Sequence, residues 1–151
     1  MGSFLTEVQR TLLVDVLDLI IPEAGEMPGA GAIAVEHVES AATTRPTTSR
    51  TVLGTLMAVD AAAGSEYGEP FTEIADSFKA SLLRVVERMY PKLFGEFVDL
   101  VYDGYYTDAS VIERLGPDAG KPQPEGRPIA PFDPQIVESV RQLGPKYRTA
   151  Q

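Results

Sequence analysis

The sequence contains no cysteine and only one histidine. The absence of cysteine excludes disulfides, thiolate catalysis and cysteine-ligated zinc or iron–sulfur centres from this chain. A single histidine excludes any metal site within one chain that needs two imidazole ligands, and it leaves few routes to a histidine-activated nucleophile. Several common classes of catalytic and metal site are therefore excluded by composition alone.

Long apolar runs and basic residues are also scarce. No stretch approaches the roughly 18 consecutive apolar residues that a membrane helix needs, so no membrane insertion is expected. Thirteen Lys and Arg against 22 Asp and Glu give a formal net charge of −9. Phosphate backbones and anionic lipid surfaces repel such a charge. Neither nucleic acid nor an anionic membrane is an expected partner.

The remaining composition is that of a helical globular domain. A chain of 151 residues fits one domain, and its 44% hydrophobic and 23% charged residues are near the averages for such domains. Apolar residues recur at spacings of three and four, and no alternation is long enough for a strand. The sequence predicts an all-α fold: an irregular bundle of about five helices over residues 1–115, followed in the same domain by a proline-rich, extended C-terminal arm over 116–151.

Turn and cap residues bound the predicted helices. The first helix is predicted from about Thr6 to Ile21, because Thr6 can cap it together with Gln9. Pro22 stops this helix, since the residue before a proline disfavours the helical region. The other four helices are predicted at roughly 32–42, 49–63, 76–90 and 92–105. Apolar residues lie nearly all round the last of them, which predicts a helix buried on every side.

Two of these helices carry apolar stripes that we expect to face the core. The stripe of the third helix is followed by three alanines at 61–63 that favour close packing. The stripe residues are Val52, Leu53, Leu56, Met57 and Val59 in the third helix, and Phe78, Leu82, Leu83, Val85, Val86 and Met89 in the fourth.

Three features could carry chemistry, and each has a simpler structural interpretation. His37 lies among carboxylates and could serve as a base, but no nucleophile accompanies it, which favours a solvated surface histidine. Asp15 and Asp18 could bind a metal, but the Glu-x-x-His motifs of a di-metal bundle are absent, which favours a solvated polar face. The turn at 28–31 is superficially similar to a phosphate loop, but its surroundings favour a helix-entry turn. No catalytic, cofactor-binding or metal site is predicted.

The aromatic residues near the end of the fifth predicted helix are more informative. Tyr102, Tyr105 and Tyr106, together with two nearby phenylalanines, exceed what a bundle of this size should bury. Tyrosine has a large apolar body with a polar tip, which suits both the rim of a core and a protein interface. We therefore predict that these three tyrosines contact a partner, and that Tyr105 and Tyr106 matter more for assembly than for folding.

Several short motifs resemble those of a known family. They are Leu-Ile-Ile-Pro at 19–22, Met-Pro-Gly-Ala-Gly at 27–31, Val-Glu-His-Val-Glu at 35–39, Pro-Phe-Thr-Glu-Ile at 70–74, Gly-Tyr-Tyr-Thr at 104–107, Leu-Gly at 115–116 and Pro-Gln-Pro-Glu-Gly at 122–126. Together they cover roughly residues 12–126 and resemble the gluconate 2-dehydrogenase subunit 3 family. The pairing of 104–107 with 122–126 is the more specific part of this resemblance.

The resemblance implies a small, non-catalytic subunit. In this family such a chain binds and stabilises a large FAD-dependent subunit of the glucose–methanol–choline (GMC) oxidoreductase type, which oxidises a sugar, a glycoside or a related polyol. The chain itself would bind no cofactor, and FAD would lie in the partner. Many members carry cysteines and a twin-arginine leader, which this sequence does not show, so a cytoplasmic complex is expected, with a periplasmic one after leader removal as the alternative. A free-standing helical module that binds a protein or ligand is the competing function.

The C-terminal arm combines proline with apolar residues. Seven of the twelve prolines fall between Pro117 and Pro145, which favours an extended, partly polyproline segment, with a short helix near 134–143. Such a segment loses little entropy on docking, so we predict that it wraps the large subunit. The alternative is that it folds back across its own bundle. The predicted contacts in the arm are Pro122, Pro124, Phe132, Ile136 and Tyr147.

Truncation after Gly116 tests this interpretation of the arm. We expect the truncated chain to keep its helicity and cooperative melting, measured by circular dichroism, and to lose binding to the large subunit in a pull-down. A truncated chain that melts at once or aggregates by itself would show instead that the arm completes the core.

Overall fold

The computed structural model describes residues 4–116, together with Gln135 and Gln142. The chain divides into two units, Met1–Lys121 and Pro122–Gln151, and every helix named below lies in the first. Within 4–116 the regular secondary structure is helical, apart from an isolated bridge between Ala24 and Met27. The all-α prediction is confirmed.

The described part of the first unit forms seven helices where about five were predicted. They are α1 (Glu7–Ile20), α2 (Ala30–Ile33), α3 (Val35–Thr44), α4 (Pro46–Tyr67), α5 (Asp76–Met89), α6 (Pro91–Tyr106) and α7 (Ala109–Leu115). The predicted arm contacts Pro122, Pro124, Phe132, Ile136 and Tyr147 lie outside the described residues, as does most of the predicted short helix at 134–143.

The start of α1 confirms its predicted cap. The Thr6 hydroxyl oxygen accepts a hydrogen bond from the Gln9 backbone N–H at 3.2 Å, and the Gln9 side-chain oxygen accepts from the Thr6 backbone N–H at 3.0 Å. These reciprocal bonds satisfy two backbone donors that a helix start leaves open. The helix ends at Ile20, two residues before Pro22.

Two differences account for the extra helices. The helix predicted at 32–42 is interrupted at Ala34, which both ends α2 and precedes α3. The short helix α7 was not predicted, although Asp108 supplies a clear start signal. The Asp108 carboxylate accepts from the Ser110 backbone N–H at 2.9 Å and from its hydroxyl at 2.6 Å, and these bonds lower the pKa of that carboxyl.

Helix α4 is the centre of the bundle and contacts α1, α3, α5 and α6. It is longer than predicted at both ends, because Pro46 suits the first helical position and Gly68 ends the helix with a φ of 74°.

Helix α6 contradicts the prediction of burial on every side. One face packs into the core through Phe94, Phe97, Val101 and Tyr105, while the opposite face is exposed.

A buried lysine ties α5 to α1. Lys79 Nζ lies 3.0 Å from Asp15 Oδ2 and 3.0 Å from Asp76 Oδ1, and its side chain is 11% exposed. The ammonium group also lies 5.8 Å from the centroid of the buried Phe71 ring. Burial lowers the pKa of Lys79, but the hydrogen bonds and charges of the two aspartates together outweigh it and raise the pKa above its usual value. Asp15 is thus part of an ion pair and not of a solvated polar face.

Replacement of this lysine tests the pair. Lys79→Met keeps an apolar stem, and we expect it to lower the free energy of unfolding by about 1 kcal/mol at neutral pH. Because the pKa is raised in the folded state, the stabilisation by Lys79 is complete below its unfolded pKa and is lost as the pH rises through the folded pKa. Urea unfolding should therefore show a smaller difference between wild type and variant above about pH 11 than at about pH 7.

Lys92→Met is the matched control, because Lys92 is exposed at the start of α6. It should leave the free energy of unfolding nearly unchanged. A loss for Lys79→Met that stays constant over the whole pH range would contradict the ion-pair interpretation.

Candidate partner interface

Two of the sequence motifs meet in the structure. The Tyr105 hydroxyl, from the motif at 104–107, donates a hydrogen bond of 2.7 Å to the Pro28 carbonyl oxygen, from the motif at 27–31. Tyr105 is only 1% exposed, and burial raises the pKa of its phenol. This places Tyr105 in the core of the chain and corrects its predicted position on the partner surface: the side chain joins α6 to the loop before α2.

The glycine next to Tyr105 allows a second close approach. A Cβ atom at Gly104 would lie 3.0 Å from three side-chain carbon atoms of His37, so α6 and α3 touch at this point. His37 is exposed and packs against this glycine. The position agrees with the interpretation of His37 as a surface histidine.

The glycine-rich turn at 28–31 binds an anion that the chain itself provides. Asp18 Oδ1 accepts a hydrogen bond of 2.7 Å from the Gly31 backbone N–H. Cβ atoms at Gly29 and Gly31 would overlap the Asp18 carboxylate oxygens, so a side chain at either position would require this carboxylate to move. The expectation that Asp18 belongs to a solvated face is wrong, because the carboxylate fastens α1 to the start of α2.

The exposed face of α6 carries the two other predicted tyrosines. Tyr102 is 45% exposed and Tyr106 is 49% exposed. Their rings meet edge to face, with centroids 5.9 Å apart, and Tyr106 makes a second such contact with Tyr105 at 5.2 Å. The role of Tyr102 and Tyr106 in binding a partner stays a prediction, and both are placed where a partner can reach them.

The structure also shows a groove between α4 and α5 that the sequence did not predict. This α4–α5 groove has a volume of about 520 Å³ and is lined by Ala58, Ala61, Ala62, Ser65, Glu66, Tyr67, Ser81, Leu82, Val85, Val86, Met89 and Tyr90. Its α4 side consists mainly of small side chains at spacings of three and four. The same spacing in the sequence also predicts close packing between helices, so the sequence alone does not distinguish the groove from such packing.

Large apolar side chains surround the α4–α5 groove. The Tyr67 and Phe78 rings stack with centroids 5.2 Å apart, and Met89 and Tyr90 are 61% and 46% exposed. Phe78 and Met89 were predicted to face the core, as was Met57, which is 69% exposed. The 3.6-residue period places them beside the buried stripe, but the neighbouring helices do not cover them.

Residues 4–116, 135 and 142 contain neither a membrane-spanning helix nor a metal-binding cluster. No helix in this part of the chain is both long and apolar enough to cross a membrane. The same residues contain no group of three or more His, Asp or Glu side chains that could hold a metal ion.

The hydrogen bond from Tyr105 to Pro28 can be tested by removing one hydroxyl. Tyr105→Phe leaves the Pro28 carbonyl without this donor, so the free energy of unfolding should fall by about 1–2 kcal/mol. Tyr106→Phe is the control, since Tyr106 is half-exposed and should change stability by less than about 0.5 kcal/mol. Urea unfolding followed by circular dichroism measures both, and equal losses would show that the bond contributes nothing of its own.

Comparison with known proteins agrees with the motifs. The sequence model of the family described as gluconate 2-dehydrogenase subunit 3 matches residues 7–116, which end just before the motif at 122–126. Searches of curated proteins and of solved structures found no significant match to the chain. The family match covers most of the chain and includes the two motifs that Tyr105 joins. This chain belongs to the gluconate 2-dehydrogenase subunit 3 family.

Proposed function

We propose that this chain is the non-catalytic small subunit that binds and stabilises a large FAD-dependent oxidoreductase subunit of the GMC type, acting on a sugar or glycoside. Membership of a family named as a dehydrogenase subunit supports a role within a complex. The observation that carries the proposal is the exposed α4–α5 groove, which offers a second protein an apolar surface to cover.

The side chains around the groove are those that protein interfaces favour. Tyr67, Phe78, Met89 and Tyr90 expose large apolar areas close together, and aromatic residues and methionine are enriched in interfaces. Contiguous exposed apolar patches on a monomer commonly mark a binding site. The small side chains along α4 let the backbone of a partner approach closely.

We propose that the flavin is held by the partner subunit. The glycine-rich turn at 28–31 is the element of this chain most similar to a nucleotide phosphate loop. Its Gly31 N–H is already hydrogen-bonded to the Asp18 carboxylate, which occupies the space beside Gly29 and Gly31. An external phosphate would have to displace this carboxylate.

A free-standing ligand-binding module is the second candidate. The volume of the α4–α5 groove, about 520 Å³, is within the range of small-molecule sites. The two functions differ in what occupies the groove. Association with a flavoprotein supports the first, whereas a groove that binds a small molecule and no flavoprotein supports the second.

A bulky residue at Ala61 tests the groove as a subunit contact. Ala61 is exposed on α4 and lines the groove, so Ala61→Trp should fill it without disturbing the core. On co-expression with a neighbouring flavoprotein gene, we expect the wild-type chain to copurify with the flavoprotein. We expect Ala61→Trp to reduce the recovered complex at least tenfold, since interface hot spots are worth about 2 kcal/mol or more.

The control is Ala80→Trp, because Ala80 is exposed on α5 and does not line the groove. It should copurify as the wild type does, and both variants should keep the wild-type melting temperature. We also expect the purified chain alone to be colourless and the complex to show a flavin spectrum. A wild-type chain that never copurifies with the flavoprotein, or stoichiometric FAD in the chain alone, would overturn the proposal.

A further inference from the structure

We propose that one exposed side of α6 binds a positively charged, arginine-bearing segment of the large subunit. This α6 face consists of Asp99, Tyr102, Asp103 and Tyr106, and all four side chains are exposed. The inference rests on the proposed function, because it assigns a second contact to the same partner. The α6 face is separate in sequence from the α4 and α5 residues that line the groove.

Acidic and aromatic side chains alternate along this side of α6. Asp99, Tyr102, Asp103 and Tyr106 follow one another at intervals of three, one and three, so neighbouring turns bring each carboxylate beside a tyrosine. The two tyrosine rings are 5.9 Å apart at an interplanar angle of 65°. A ligand that lies along this side of the helix meets both an aromatic face and a negative charge.

The aspartates of the α6 face form no ion pair among the described residues. The ion pairs found there join Arg10 to Glu39 and Lys79 to two aspartates, and none involves the aspartates of the α6 face. A further carboxylate, Glu96, lies one turn before Asp99 and accepts a bond from the Thr51 hydroxyl at 3.2 Å. Like charges at these helical spacings repel each other, so a cation from another molecule would stabilise them.

A shallow groove extends the same charge toward α4. It has a volume of about 340 Å³, and its lining consists of Thr47, Thr48, Thr51, Glu96, Asp99, Leu100 and Asp103. Hydroxyl and carboxylate groups predominate, and they accept hydrogen bonds from guanidinium or ammonium donors. If one arginine of a partner segment stacks on the tyrosines, the hydroxyl and carboxylate groups of this groove can accept hydrogen bonds from the next basic side chains of that segment.

Within the α6 face, Tyr106 packs against the buried side chain of Tyr105. Tyr106 contacts the ring of Tyr105 edge to face at 5.2 Å, and Tyr105 is fixed by burial and by its hydrogen bond to Pro28. An exposed ring that is already oriented loses less entropy when a partner binds. The contact with Tyr105 thus links the exposed Tyr106 ring to the core of the chain.

Arginine suits this face better than lysine does. Its planar guanidinium stacks on aromatic rings and donates hydrogen bonds to carboxylates at the same time. A second copy of this chain is a poor occupant, because the chain carries a net charge of −9 and would bring acidic residues against acidic residues. Charge complementarity therefore selects a basic partner segment.

A peptide of six arginines, capped at both ends, tests the face in the full-length chain. At low salt we expect it to bind and to shift the ring signals of Tyr102 and Tyr106 in NMR spectra. A six-lysine peptide of equal charge should bind about threefold more weakly, because it lacks the stacking. Raising the salt concentration to about 0.3 M should weaken both.

Matched variants separate the α6 face from the overall charge. Asp99→Asn with Asp103→Asn should weaken arginine-peptide binding about fivefold, whereas Glu73→Gln with Glu87→Gln, which changes the net charge equally at exposed sites elsewhere, should have little effect. Tyr102→Leu with Tyr106→Leu should remove the preference for arginine over lysine, and the corresponding double Phe variant should keep it. Equal losses in the two charge variants, or shifts that spare Tyr102 and Tyr106, would overturn the inference.

The same variants in the subunit complex distinguish this inference from the proposed function. We expect Asp99→Asn with Asp103→Asn to lower the affinity for the flavoprotein about fivefold at low salt and to leave the melting temperature unchanged. A complex that forms equally well with all α6 variants would overturn the inference and leave the proposed function intact. If the wild-type chain forms no complex at all, both are overturned.

Discussion

The hydrogen bond from the buried Tyr105 hydroxyl to the Pro28 carbonyl oxygen links the aromatic side of α6 to the core. It joins two segments that are 77 residues apart in the sequence, one in the loop before α2 and one in the last turn of α6. The Tyr105 hydroxyl is buried, so water cannot easily take its place as the donor. Breaking the bond would leave this hydroxyl without a partner inside the core, which costs free energy. Because the Tyr105 ring also contacts Tyr106, this buried bond is linked to the exposed side of α6.

Local signals in the sequence predicted the helices well. The capping box at Thr6 and Gln9 has a physical cause confined to one turn of chain, and it is present as predicted. The Asp108 cap has a cause of the same kind and was overlooked, although it was visible in the sequence. The extension of α4 to Tyr67 also has a local cause that was overlooked, because Gly68 ends the helix. The break at Ala34 has no comparable signal in the sequence.

The functional surface was harder to predict, because exposure depends on which helices are neighbours. The sequence identified Tyr102, Tyr105 and Tyr106 as one group, but the fold buries Tyr105 and exposes the other two. It also assigned Phe78 and Met89 to the core, since an apolar stripe indicates a face without showing how much of it is covered. The α4–α5 groove exists because no neighbouring helix covers these residues. Sequence periodicity alone could not distinguish such an exposed groove from a buried helix contact.

The contact between Asp18 and the glycine turn makes Asp18, Gly29 and Gly31 depend on one another. The carboxylate occupies the volume that a side chain at Gly29 or Gly31 would need, and in return the Gly31 N–H holds the carboxylate. A larger residue at either glycine therefore requires this carboxylate to move or residue 18 to be smaller, and either change disturbs the bond to the Gly31 N–H. The effect of a substitution at one of these positions therefore depends on the residues at the other two.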